Sequence, residues 1–297
     1  MTKPILHINA GIGWSATKPL CYTLEQVGYC HKGSTTESNM LYYLYERKYK
    51  PVHAKYYWHT DHKHRNLDFV RKNTTLPWYI QYMKSQLKDT HKGVSDFSNS
   101  NTNLPSKFLK EIAPSLCDVF DVRVTLIFRN PVRRSYSEIS AWYRNMTDNE
   151  NAVQEWKIRD PQKIEQWQLI KQRYPDSISF WKSKLNYPSH MLPDYVTSYN
   201  NWRSAFDKVY PIVMEEVWED SSGLSNFIGC KIDKMHENIY FPERGTKRPE
   251  SEGLRDQWNS DMQDLSQDDL QYGRKKLDWI YKNYKNQFNY IPTQWEK

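Results

Sequence analysis

No stretch of this 297-residue chain comes near the roughly 18 consecutive apolar residues that span a bilayer, so no membrane anchor is expected. The amino terminus lacks a basic leader followed by an apolar core, which argues against a secretory signal. Cysteine is scarce. Cys21, Cys30, Cys117 and Cys230 are scattered without metal-ligand spacing, and a reduced, cytoplasmic setting is the expectation. Without secretion, the sequons at Asn73 and Asn145 carry no meaning. Hydrophobic residues make up only 38% of the chain and mean hydropathy is −0.90, so part of the core mass must come from 12 Trp and 22 Tyr. Internal repeats and low-complexity tails are missing too, which leaves a globular chain long enough for a sizeable core. A formal charge of +7 suits an anionic ligand, although solubility alone also explains it; no nucleic-acid partner is expected.

What is present alternates. Strand-like runs at residues 4–9, 52–58, 93–97, 123–128 and 209–214 are separated by mostly helical patterns, the first a helix over residues 17–26 with Pro19 in its opening turn. Such alternation predicts an α/β fold with a central parallel sheet flanked by helices in three layers. Ligands of such sheets bind beyond the carboxyl ends of the strands. One domain over residues 1–297 is expected, with a helical, aromatic-rich insertion at about 146–200, a polar loop at 242–253 and a closing helix at 267–289. The aromatic residues of the insertion suit an acceptor site or, equally, a solvated helical cap.

The run VTLIFRNPVRRSYSEI is the most telling segment. An apolar strand ends in Arg129, Pro131 opens a helix, and Ser137 follows eight residues after the arginine. Arg129 offers a planar fork of N–H donors at a strand's carboxyl end and Ser137 adds a hydroxyl, so the two can grip one phosphate. The plainer reading is that Arg-Asn-Pro turns the chain while Val132, Tyr136, Ile139 and Tyr143 bury one helix face. With Arg129, Asn130, Pro131, Arg134, Tyr136 and Ser137 in register, the segment resembles the 3′-phosphate-binding motif of the sulfotransferase family, whose sulfuryl donor is 3′-phosphoadenosine 5′-phosphosulfate (PAPS).

Between the first strand and helix, Gly11, Gly13, Ser15, Ala16 and Thr17 are small enough for backbone N–H groups to turn toward an anion at the helix's positive end. The loop is similar to the family's 5′-phosphosulfate loop, with Trp14, Ser15, Ala16, Thr17 and Lys18 at the corresponding positions. Trp14 stands where the family has a lysine, and Lys18 either substitutes for that lysine or caps the opening turn. A P-loop kinase is the competing reading of a glycine-bearing loop. Its pattern fails here, because Thr17 precedes Lys18, Pro19 follows it, and Ile12 occupies the leading glycine position.

Further along, YNNWRSAFDKVYPIVMEEVWEDSSGLSNFIG resembles a second family signature: a helix carrying Trp202 and Phe206, a strand, an acidic pair and a short helix ending in Phe-Ile-Gly. Arg244, Gly245, Lys247 and Arg248 then lie where many members bring a basic lid over the 3′-phosphate; a solvated basic loop is the alternative. Residues 93–112 resemble the carbohydrate-directed branch more than the small-phenol branch, although Asp96, Phe97, Ser98 and Asn99 lack the lysine that members often carry there.

The resemblance implies a P-loop-like fold, PAPS as co-substrate, a small-molecule or saccharide acceptor, and Arg129 with Ser137 on the 3′-phosphate. Lys18 and the loop amides would face the bridging oxygen of the leaving nucleotide. His53 and Asp96 compete as proton acceptor, since neutral histidine suits abstraction near pH 7; equally, His53 is read as a strand residue and Asp96 as a turn cap. His59, Asp61, His62 and His64 do not follow a metal-ligand spacing, and no metal is expected. Two alternatives remain: a P-loop nucleotide phosphotransferase, and a noncatalytic nucleotide or polyanion binder.

Overall fold

The computed structural model describes residues 2–11, 15, 17–33, 38–49, 75–147, 161–186, 194–235 and 265–296. Along the chain these form β1 (Ile5–Asn9), α1 (Thr17–Gln26), β2 (Cys30–His31), α2 (Met40–Tyr49), α3 (Leu76–Ser85), β3 (Gly93–Asp96), α4 (Ser106–Val119), β4 (Asp121–Phe128) and α5 (Pro131–Thr147). There follow α6 (Pro161–Arg173), α7 (Ser177–Lys184), α8 (Tyr195–Arg203), β5 (Val209–Val213), α9 (Met214–Glu219), α10 (Ser222–Ile228), α11 (Gln267–Lys276) and α12 (Asp278–Phe288). Their residues fall into two compact units, one within 1–129 and 193–254, the other within 130–192 and 255–296.

The first unit holds a five-stranded, all-parallel sheet in the order β2-β3-β1-β4-β5. A sheet covered on both faces needs strands that are apolar throughout, and β1 and the second half of β4 are buried at every position. From β1 the chain moves outward to β2; from β3 it crosses to the far side of β1 and enters β4. Right-handed crossovers in opposite directions lay α1 on one face and α4 on the other. The amphipathic helix α4 supplies Phe108, Leu109, Ile112 and Leu116 to the core.

Gly93, which opens β3 opposite Ile5 of β1, is imposed by close approach. A Cβ there would stand 2.1 Å from the Ile5 carbonyl oxygen, a backbone atom that cannot step aside while both strands stay paired. Gly93→Ala is therefore expected to cost about 3 kcal/mol, read as a lower urea midpoint; an unchanged midpoint would show that β1 and β3 are not so closely apposed.

The strands at 4–9, 93–97, 123–128 and 209–214 are present with ends moved by one or two residues, and the helix at 17–26 is present as expected. The expected strand at 52–58 lies outside the described residues. Beside β3 runs the two-residue β2, which no alternation in the sequence announces because two residues carry no period.

In the second unit, α5 packs on α7, and α11 comes close enough that a Cβ on Gly273 would meet Trp181 at 2.8 Å and Val132 at 2.9 Å. The expected closing helix at 267–289 is two helices. Leu277 at the break is fully buried and has φ −105° and ψ 9°, outside the helical range, while Asp278 places a carboxylate in the first turn of α12, where the helix dipole favours it. Ser266 and Asp269 form a capping box for α11, and Asp269 also pairs with Lys182 of α7.

Candidate functional site

Adjacent strands β1 and β4 send their connections in opposite directions, β1 toward β2 and β4 toward β5, the topology at whose carboxyl ends open α/β sheets bind ligands. The register pairs Asn9 with Thr125, and the ladder runs one step further, with the Ala10 N–H on the Thr125 carbonyl at 2.8 Å. Gly11 then lies against Ile127, where a Cβ would stand 3.1 Å from the backbone nitrogen. Thr102 Oγ1 donates to the Ala10 carbonyl at 2.7 Å, and α8 braces that turn through Ser198 on the Thr102 carbonyl and Trp202 Nε1 on the Asn101 carbonyl.

Of the loop's expected residues, Ser15, Thr17 and Lys18 are described. Ser15 is fully buried and its Oγ has no hydrogen-bond partner; Thr17 is buried and Lys18 half-buried in the first turn of α1. A buried hydroxyl without a partner costs about 1–3 kcal/mol, and one standing just before a ten-residue helix adds a donor where N–H groups already face outward. In the described part of the loop, Gly11 and the unpartnered Ser15 Oγ are the groups whose chemistry suits oxyanion oxygens. Gly13, Trp14, Ala16, His53, Arg244, Gly245, Lys247 and Arg248 lie outside the described residues, as does the cluster His59, Asp61, His62 and His64.

Arg129 follows β4 directly and its side chain is only 2% exposed. Its backbone is held by Tyr195 of α8, whose hydroxyl donates to the Arg129 carbonyl at 2.6 Å while its ring stacks on Phe128 at 4.9 Å. A guanidinium kept in the interior attracts an anion through a lower dielectric than water.

Ser137 belongs to the second unit, where α5 buries it. Asn130 caps that helix: Oδ1 accepts from the N–H groups of Val132 and Arg133 at 3.0 and 3.3 Å and from the Tyr281 hydroxyl at 2.9 Å. The buried face includes Val132, Tyr136, Ile139 and Tyr143, as the sequence periodicity predicts. Arg134 pairs with Glu138 at 2.6 Å within the same helix, and burial raises the Glu138 carboxyl although Arg134 draws it down.

Asp96 ends β3 and is buried. Oδ2 accepts from the Tyr79 hydroxyl at 3.0 Å, and Oδ1 from the Ser98 N–H at 3.2 Å and the Ser98 hydroxyl. Ser98 Oγ in turn accepts from the N–H of Asn39, a residue at φ 54°, so the cluster ties β3 to the start of α2. Burial raises the Asp96 carboxyl above its ordinary 3.8, against the pull of those hydrogen bonds. The native state then holds a proton that the unfolded chain has released, so stability falls as pH rises from about 4 through the native value and levels off above it. Urea titrations across that interval should show this slope, with Glu138 adding to it in the same sense. Asp96→Asn should flatten it, and an unchanged slope in that variant would place the ionised carboxylate in the fold.

Asn9, Thr125 and Thr102 were not among the residues picked out from the sequence. The available signal was polar His7 and Asn9 two apart in an otherwise apolar strand, hence on one face.

No family model matches the sequence, and no curated protein matches it. Among solved structures, a sulfotransferase from Alicyclobacillus acidocaldarius matches with a TM-score of 0.55 at 13% identity, covering 100% of both chains. The sulfotransferase domain of the olefin synthase of Synechococcus PCC 7002 matches 93% of this chain and 95% of its own, with a TM-score of 0.44 at 14% identity. The first likeness is one of fold: a P-loop-like α/β architecture with an all-parallel sheet flanked by helices.

Proposed function

We propose that the protein transfers a sulfuryl group from PAPS to a hydroxyl or amine acceptor, a saccharide hydroxyl being the first class to test. One observation carries the reading: the small-residue loop before α1 and the buried Arg129 both follow the carboxyl ends of neighbouring strands β1 and β4. The fold shared with a sulfotransferase structure supports it.

PAPS, when bound, supplies a sulfuryl group whose bridge to the 5′-phosphate breaks as the acceptor bonds to sulfur. Ser15, Thr17 and the loop amides of Gly13, Trp14 and Ala16 would bind the 5′ end, and Lys18 would neutralise the charge growing on the bridging oxygen. Arg129 would anchor the 3′-phosphate; Ser137 is assigned to that phosphate by its spacing in the sequence alone, and Arg244, Gly245, Lys247 and Arg248 would close over it. His53 or Asp96 would take the acceptor's proton. A base at Asp96 must exchange one of its three hydrogen bonds for the acceptor hydroxyl.

The test is transfer of labelled sulfuryl from PAPS to a mixture of saccharide and small hydroxylic acceptors. The reading expects labelled product. Binding of PAPS without transfer would favour a noncatalytic binder, and phosphoryl transfer from ATP would favour the phosphotransferase.

A further inference from the structure

Inside the first unit, three buried polar side chains form a chain across β1 and β4. His7 Nε2 lies 3.0 Å from Thr125 Oγ1, and Thr125 Oγ1 donates to Asn9 Oδ1 at 3.3 Å. All three are buried. Threonine has one hydroxyl proton, and here it is spent on Asn9; the contact with His7 is therefore donated by Nε2–H. Burial, with Arg123 adding to it, lowers the His7 pKa to about 3, so the ring is neutral and carries only that one N–H. Stacking against Phe97 and edge contact with Tyr29, each at 5.6 Å, fix the ring.

The consequence falls on Asn9. With Oδ1 committed to Thr125, the amide is oriented, and its Nδ2 donors are buried without a partner. They lie directly beneath Gly11, the residue that leads into the candidate anion loop: a Cβ on Gly11 would stand 3.0 Å from both amide atoms. Gly11, having no Cβ, leaves beside the buried amide the space a side chain would fill. A sequence that spends a hydroxyl and an imidazole on orienting a donor, and then gives that donor no acceptor, has left an expensive group in the interior.

We infer that Asn9 Nδ2 is a further donor to the 5′-phosphate or sulfuryl oxygens held by the loop after β1, with His7 and Thr125 as the residues that position it. This rests on the functional reading given above.

The test compares binding of adenosine 3′,5′-bisphosphate and adenosine 3′-monophosphate by calorimetry in wild type, Asn9→Asp, Thr125→Val and Thr125→Ser. Asn9→Asp exchanges the donor for an anionic oxygen, and should weaken the bisphosphate by about ten- to a hundredfold. Binding of the 3′-monophosphate should stay within about twofold, which also reports that the variant is folded. Thr125→Val should lose part of the bisphosphate affinity because the amide is then free to turn, and Thr125→Ser should restore it. Wild-type affinity for both nucleotides in Asn9→Asp and Thr125→Val would overturn the inference while leaving the functional reading intact. A wild-type protein that binds no bisphosphate would overturn the functional reading and this inference with it.

Discussion

Arg129→Ala is expected to lower affinity for adenosine 3′,5′-bisphosphate by about a hundredfold or more. The side chain is buried at the end of β4, so its attraction for a phosphate would be weakly screened, and its fork can offer donors to two oxygens at once. Its backbone support does not depend on the guanidinium. Tyr195 bonds the carbonyl of residue 129 and stacks on Phe128, and both contacts survive truncation to alanine. The loss should therefore appear in binding with the strand still paired. Arg129→Lys keeps the charge but loses the fork, and is expected to fall between the two. Calorimetric titration of the three proteins gives the order directly; wild-type affinity in Arg129→Ala would remove Arg129 from the nucleotide site.

Lys18→Met is expected to lower kcat by about a hundred- to a thousandfold, with the affinity for adenosine 3′,5′-bisphosphate changed little by comparison. Negative charge on the bridging oxygen grows only as the sulfur–oxygen bond breaks, so a cation aimed there acts in the transition state more than in the bound ground state. Lys18 sits in the first turn of α1, half-buried, four residues after Trp14, the position at which the resembling family loop has a lysine. Introducing lysine at that position in the Lys18→Met background is expected to restore part of kcat. Unchanged kcat in Lys18→Met would make Lys18 an ordinary first-turn residue and pass the charge stabilisation to another cation.

Much of the sheet was legible because its signals are local. The apolar run ending at Phe128 and the proline that opens α5 each announce themselves within a few residues. The helix–strand–acidic pair–helix order from α8 to α10, which closes on Gly229 at φ 67°, was expected from the resemblance to a family signature rather than from local pattern. What was missed is what local pattern does not carry. Strand β2 is two residues long. The break at Leu277 is hidden because apolar residues on both sides keep helical spacing, and only the non-helical φ and ψ of Leu277 show where one helix ends and the next begins. Phe206, read as part of a helix, follows α8 and reaches Trp202 by stacking at 5.5 Å. The Thr125–Asn9 bond joins residues 116 apart, and no spacing rule pairs them until the register of β1 on β4 is known. Asp96 was legible as a polar residue ending a strand, but its partner Tyr79 comes from a helix the sequence did not connect to it.

The central claim is that the carboxyl ends of β1 and β4 hold the two phosphate ends of one nucleotide. A crystal structure of the protein grown with adenosine 3′,5′-bisphosphate tests it most directly. The account predicts the 5′-phosphate against Ser15 and the amino end of α1, and the 3′-phosphate on the Arg129 guanidinium. A nucleotide bound elsewhere, or one reaching the loop with its 3′-phosphate away from Arg129, would contradict it.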